Sequence, residues 1–174
     1  MKKVTLATLA LLALAASTAL AGSATSNVGI SSNIPNVCTI STGAVAFGAY
    51  DPIVTNASSP LDASGNVTIT CTKGATTTVG LGLGTNASGA VRRMKDGGSD
   101  MMTYELYQPP DSTPGTACSY ASATIWGNSG GGLFTPAAAP NKNARTYNIC
   151  GEVAAGQDLP TGSYTDTVVA TVNF

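Results

Sequence analysis

The stretch SYTDTVVATVNF, residues 163–174, decides the fold of this chain. Its apolar side chains fall on alternate positions, which predicts a β-strand with one buried face. The inward-facing residues are Tyr164, Val168, Ala170, Val172 and Phe174. The sequence stops at Phe174, so we expect no later strand to cover the free side of this one. An open sheet edge of that kind needs a partner.

The same alternation recurs through the rest of the chain, between Gly, Pro, Asn and Asp breakers, and no sustained 3.6-residue apolar period follows residue 21. This pattern predicts an all-β sandwich in one domain. The sequence shows no repeat and no long linker. Besides residues 163–174, the extended stretches are predicted at 24–34, 37–47, 66–72, 77–83, 101–107, 117–126 and 145–153.

The N-terminus has the features of a secretory signal peptide. Lys2 and Lys3 precede an apolar run, and Ala19-Leu20-Ala21 forms an A-x-A cleavage pattern. Small residues follow instead of a cationic stop, which disfavours an uncleaved anchor. We therefore predict a signal peptide at 1–21, a strand-like segment at 22–36 and a single domain at 37–174. Cleavage would leave 153 of the 174 residues.

The charge composition argues against nucleic acid and anionic lipid as partners. After residue 21 the chain keeps six basic and nine acidic residues, a net charge of −3. Charged residues are only 10% of the chain. A free monomer needs surface charge for solubility, so we expect much of this surface to meet other subunits.

Four cysteines in an exported chain predict two disulfides. Three pairings are possible, and spacing alone does not choose between them. We favour Cys38–Cys71 and Cys118–Cys150, which close loops of similar length and would each join neighbouring strands. A zinc site is disfavoured because the chain has no C-x-x-C spacing and no histidine.

The absence of histidine also argues against an enzyme, because it removes the commonest general base and every Ser-His-Asp triad. Gly127-Asn128-Ser129-Gly130-Gly131 matches G-x-S-x-G, but no helix pattern follows it. The carboxylates are scattered. We therefore predict no catalytic residue, no metal and no cofactor.

Four smaller predictions concern individual residues. Arg92, Arg93 and Lys95 lie beside Asp96 and Asp100, which favours a solvated loop. Trp126 is interpreted as core filling in preference to a sugar-binding platform. Asp166 is expected to cap or pair with a neighbouring loop. The alternating glycines are expected to mark a bend or the close approach of another backbone; they are Gly80, Gly82 and Gly84.

Four segments, taken in order, resemble the spore coat protein U domain family. Phe47-Gly48-Ala49-Tyr50-Asp51-Pro52 resembles its F-G-x-Y-[DN]-P stretch, and residues 67–71 resemble the strand with its second cysteine. Residues 102–107 are similar to its L-x-Y-x-L-Y strand, and residues 162–174 to its G-x-Y-x-D-T-V strand. The family includes the shaft subunits of archaic chaperone–usher pili.

The resemblance implies an incomplete immunoglobulin-like β-sandwich that lacks its last strand. It further implies a periplasmic chaperone that fills the groove first, and an outer-membrane usher at which the next subunit replaces it by donor-strand exchange. The product would be a homopolymer with tip or minor subunits, displayed at the cell surface and supporting attachment and biofilm formation.

By position in the family, residues Val28, Ile30, Ser32 and Ile34 form the donor-strand face. The receiving side would be lined by Tyr164, Val168, Ala170, Val172 and Phe174. Ser32 departs from the family, since a bulkier apolar residue is expected there, so the register stays open. The mature length favours a shaft subunit over a tip adhesin with an extra binding domain. A secreted coat or matrix protein and a secreted hydrolase are the alternatives.

Overall fold

The computed structural model describes residues 21–121 and 123–174, and over these residues the chain is all-β, as predicted. The predicted signal peptide falls almost entirely on residues 1–20, which lie outside the described part. No helix in the described part is long and apolar enough to cross a membrane. The strands are β1 (Cys38–Gly43), β2 (Leu61–Cys71), β3 (Thr78–Leu81), β4 (Arg92–Lys95), β5 (Met101–Tyr107), β6 (Arg145–Val153) and β7 (Ala170–Asn173), with a 3-10 turn at Gly130–Gly132.

The larger of two sheets has five antiparallel strands in the order β1-β2-β6-β5-β4. The alternating apolar residues of its two central strands point to one face and are almost completely buried. They include Val67 and Ile69 of β2, with Tyr147, Ile149 and Val153 of β6.

The smaller sheet pairs β3 with β7, so that Val79 lies opposite Val172 and Leu81 opposite Ala170. Trp126 is fully buried, and its indole N–H donates to the carbonyl of Val79 at 2.8 Å. Phe134 packs between Trp126 and Tyr147, with ring centroids 5.1 and 5.0 Å away. The prediction that Trp126 fills the core is therefore confirmed.

The prediction of a solvated loop at Arg92, Arg93 and Lys95 is wrong. All three residues lie in β4, and Arg92 has no exposed surface. Its guanidinium forms an ion pair with Glu105 and donates to main-chain oxygens of Leu81, Gly82 and Trp126. Burial is possible because the fold provides an acceptor for each part of the guanidinium.

The strand predicted at 117–126 is also wrong, since this segment makes only an isolated bridge between Ile125 and Tyr107. Side chains hold it against the large sheet instead. Cys118 is bonded to Cys150 of β6, and the Tyr120 hydroxyl donates to the carbonyl of Ala63. The other disulfide joins Cys38 of β1 to Cys71 of β2. These are the two pairs that the sequence favoured, although Cys118 lies in a loop and not in a strand.

Candidate functional site

The last strand has a partner on one side only. Within the described residues, β7 pairs only with β3, and ahead of β7 the chain continues along the same neighbour. Gly82 N–H donates to the carbonyl of Val169, and Thr85 N–H to that of Thr167, at 2.9 and 3.1 Å. At the edge of the larger sheet β1 pairs, in the described part of the chain, only with β2, and it contacts β7. Two strand edges without a ladder partner therefore lie beside each other.

An open groove of about 360 Å³ lies between the two segments that continue these strands, one after the end of β1 and one ahead of β7. One wall is residues 42–47, and the other is residues 164–170. The floor is the hydrophobic core itself, where side chains of both sheets line the groove although little of their surface is exposed. The floor residues are Leu81, Met94, Tyr104, Leu106 and Ile149.

A second cavity of about 550 Å³ extends the groove beyond Tyr164. It shares lining residues with the first cavity, so the two adjoin. The shared residues are Val45, Phe47, Met94 and Tyr164, and the second cavity adds Tyr50, Leu61, Met102 and Leu159. Most of the side chains that line this combined trough are apolar.

Among the residues that the structure describes, Asp166 is the only charged side chain that lines either cavity. Its Oδ1 accepts hydrogen bonds from the backbone and side chains of Thr85 and Asn86, at 2.8 to 3.1 Å. Its Oδ2 accepts one bond, from the Tyr104 hydroxyl at 2.7 Å. The expectation that Asp166 pairs with a neighbouring loop is confirmed.

The hydrogen bonds of Asp166 fix its charge state. Burial raises the pKa of its carboxyl, but the bonds from Tyr104, Thr85 and Asn86 outweigh this and leave the pKa below the ordinary value of 3.8. Burial and the same carboxylate raise the pKa of Tyr104. The pair is therefore a carboxylate and a neutral phenol at neutral pH. Gly84 makes room for it, since its φ is +93° and a Cβ there would lie 1.8 Å from Asp166 Oδ2.

The structure places the predicted receiving residues unevenly. Tyr164, Val168 and Ala170 line the cavities. Val172 packs half-buried against the core outside both cavities, and Phe174 is 56% exposed. Sequence reasoning missed the opposite wall, where Val45 and Phe47 stand two positions apart in the predicted stretch 37–47. That spacing is the signal that could have identified them.

The predicted donor segment, considered by itself, forms neither helix nor strand in the described residues 21–37. Its large aliphatic side chains are exposed: Val28 by 83%, Ile30 by 93% and Ile34 by 80%. Ser32 is exposed as well. The segment therefore exposes three large aliphatic side chains, and burial against a partner would remove their apolar surface from water.

Comparison with known proteins identifies a family and a fold. The Spore Coat Protein U domain model matches residues 24–171. Protein U of Myxococcus xanthus is 34% identical over 173 residues, covering 88% of this chain and 87% of that protein.

A solved structure supplies the second comparison. The chain is similar to one in the CsuC–CsuE chaperone–tip adhesion subunit pre-assembly complex from archaic chaperone–usher Csu pili of Acinetobacter baumannii. The TM-score is 0.54 and the identity 19%, over 81% of this chain and 40% of that one. This chain thus spans less than half of the solved chain, and the likeness concerns the fold. It confirms the predicted immunoglobulin-like sandwich.

Proposed function

The chain belongs to the spore coat protein U domain family, and we propose that it is a structural subunit of a chaperone–usher pilus that polymerises by donor-strand exchange. Residues 22–36 of one copy fill the groove of the next. The observation that carries this proposal is the trough itself, where two chain segments that have no strand partner on the groove side, among the described residues, flank side chains of the apolar core.

An inserted strand would satisfy the unpaired backbone groups of the open sandwich and would also bury exposed apolar side chains. It would give ladder partners to the free backbone groups of both edges, which otherwise invite aggregation. It would also bury Val28, Ile30 and Ile34 against the floor. Burial of one such side chain contributes roughly 1.5–3 kcal/mol.

The subunit type follows from the two complementary parts of the chain. A tip subunit needs a groove to receive a strand, whereas a shaft subunit needs a groove and a donor strand of its own. Residues 24–34 carry the alternating apolar face of a donor strand, and the groove lies in the domain. Both parts in one chain favour a shaft subunit that polymerises with identical copies.

The remaining partners follow from the same mechanism. Before assembly the groove must be protected, which is the task of a periplasmic chaperone. An outer-membrane usher then exchanges the chaperone strand for residues 22–36 of the next copy, and tip or minor subunits end the fibre. The product is a pilus at the cell surface, without catalytic activity, that supports attachment and biofilm formation.

The direct test is to delete residues 22–34. The variant is expected to bind the chaperone, because its groove is intact, but not to enter a fibre as the incoming subunit. Fibre assembly is measured by electron microscopy of the cells and by gel electrophoresis of detergent-resistant polymers. Normal fibres from the truncated subunit would disprove the donor-strand role.

A matched pair of full-length variants sharpens the test. One carries aspartate at the inward positions Val28, Ile30 and Ile34. The other carries aspartate at the outward positions Asn27, Ser31 and Asn33, so that both gain the same charge. Only the first is expected to block polymerisation, because only its carboxylates would enter the apolar trough.

A secreted coat protein is the second candidate, and the near full-length similarity to Protein U favours it. In that case the purified mature chain should be a durable, folded monomer whose residues 22–36 are removed by protease without loss of stability. Chaperone and usher genes beside this gene would favour the pilus instead.

A further inference from the structure

The donor face and the wall of the groove each contain one polar exception. Along residues 28–34 the inward-facing side chains are aliphatic except for Ser32. Along residues 164–170 the half-buried side chains are apolar or aromatic except for Asp166. The register of the inserted strand decides which residue lies opposite Ser32 and which lies opposite Asp166.

The geometry of a sheet restricts the choice. All strand pairs in the described residues are antiparallel, so we take the inserted strand to be antiparallel to residues 164–174. Side chains alternate between faces, so only shifts of two residues keep the aliphatic face inward. Ser32 can then lie opposite Ala170, Val168, Asp166 or Tyr164. The first register would place Val28 and Ile30 opposite Phe174 and Val172, which lie outside both cavities, so three registers remain.

Two of the three registers bury a mismatch. With Ser32 opposite Val168, Ile34 would cover the Asp166 carboxylate. With Ser32 opposite Tyr164, Ile30 would cover it. In each case an aliphatic side chain faces a charge, and a hydroxyl enters apolar surroundings without a partner.

We propose that Ser32 of one copy lies opposite Asp166 of the next and donates its hydroxyl to the carboxylate. This rests on the proposed function and names its register: Val28 lies opposite Ala170, Ile30 opposite Val168, and Ile34 opposite Tyr164. Asp166 Oδ2 can accept this bond because Tyr104 is its one donor in the described residues. Ile34 then reaches the larger cavity, which Tyr164 helps to line.

This contact explains why a small polar residue, Ser32, stands where the family pattern has a bulkier apolar one: it fixes the register of the inserted strand. A uniformly aliphatic strand could slide by two residues with little change in the contacts that it makes. A single polar pair makes every such slip unfavourable, since it separates the hydroxyl from the carboxylate and covers the charge with an aliphatic group.

Cysteine trapping in assembled fibres tests the register. The four native cysteines are all disulfide-bonded, so two new thiols would react with each other. Three full-length variants share Ile30→Cys and add Val168→Cys, Ala170→Cys or Tyr164→Cys. Directly opposite residues are close enough for a disulfide, whereas diagonal neighbours are not.

The expected result is a covalent polymer from the Val168→Cys variant alone. Cross-linking through Ala170→Cys would overturn the register, and cross-linking through Tyr164→Cys would overturn the antiparallel direction. Fibres that form without any cross-link would also overturn the register. None of these outcomes touches the donor-strand role, which fails separately if the unmodified chain does not polymerise.

A charge exchange covers the case in which the cysteine variants do not assemble. Ser32→Asp would place two carboxylates together and should slow polymerisation by about tenfold or more. Combining it with Asp166→Asn should restore the rate, and the outward control Ser31→Asp should leave it unchanged. Equal slowing by Ser32→Asp with and without Asp166→Asn would refute the contact.

Discussion

The two sheets of the sandwich differ in how completely their inward-facing apolar side chains are buried. In the five-stranded sheet β2 lies between β1 and β6, and its inward-facing Val67 and Ile69 are completely buried. Among the described residues, β7 of the two-stranded sheet has only β3 beside it. Val168, just ahead of β7, and Ala170 are only half-buried, although their alternation is equally regular. The alternation of residues is the same. It defines which face requires burial, and the presence of a second neighbour decides whether burial is achieved.

Supplying the missing neighbour in the same chain should produce the largest change. A variant with residues 24–34 repeated behind Phe174 through a short flexible linker can fold that strand back antiparallel to β7. We expect a soluble monomer whose unfolding free energy in denaturant is higher by roughly 4.5–9 kcal/mol, the sum for three buried aliphatic side chains. The control repeat carries Asp at the positions of Val28, Ile30 and Ile34. Equal stability of the fusion and its control would mean that the groove is not short of a strand.

Removing the polar connection between the sheets should have the next largest effect. Arg92 bonds β4 and Glu105 of β5 to the carbonyls of Leu81 and Gly82 in and beside β3. Arg92→Met is expected to cost about 3 kcal/mol, the low end for a broken buried pair, because Glu105 is still partly exposed. Chemical denaturation of Arg92→Met and the neighbouring Arg93→Met measures this. Similar losses in both would show that Arg92 does not connect the sheets.

One substitution in the five-stranded sheet and one just ahead of β7 compare the two regions directly. Val67→Ala removes two fully buried methyl groups and should destabilise the isolated subunit by about 2–3 kcal/mol. Val168→Ala removes methyl groups that are only half-buried and should cost under about 1 kcal/mol in the isolated subunit. Within a fibre, the rate of subunit dissociation should rise for Val168→Ala more than for Val67→Ala. Equal costs in the isolated subunit would mean that the groove is closed in solution.

The smallest expected effect is a change in the stability of the fold at acidic pH, through Asp166. Because the folded-state pKa of Asp166 lies below its ordinary value of 3.8, its carboxylate stabilises the fold above about pH 4, and this contribution is lost as the pH falls further. Asp166→Asn should therefore be less stable than the native chain at pH 7 by a margin that narrows below pH 4. Denaturant midpoints from pH 7 to pH 2 test this, and a margin that stays constant would contradict it.

The sequence predicts those strands best whose pattern is local and uninterrupted. Met101–Tyr107 and Arg145–Val153 are found with their observed ends, because apolar residues alternate throughout both. The strand predicted at 66–72 begins at Leu61, earlier than expected, since its first half pairs with β6 through mostly small and polar residues. Tertiary pairing extended this strand beyond its local signal.

The failures come from residues whose environment is supplied by distant parts of the chain. The position of Arg92 depends on acceptors from Leu81, Gly82, Glu105 and Trp126, which no local pattern reveals. Of the two walls of the groove, only the one at residues 164–170 was predicted. The other wall contains Val45 and Phe47, which follow the end of β1 and belong to no strand. The local sequence pattern identified residues 163–174 as the strand without a second neighbour, but it did not identify the residues on the opposite wall of the groove.

The Cys38–Cys71 disulfide has a mechanical consequence. In a fibre of the proposed kind, tension pulls on residues 22–36 of each copy and enters the domain at Cys38, the first residue of β1. An edge strand held by hydrogen bonds alone could peel away one pair at a time. The sulfur bridge fastens its first residue to β2, which also pairs with β6, and so passes the load into the interior of the sheet. Reduction should weaken the pilus at this point before it unfolds the rest.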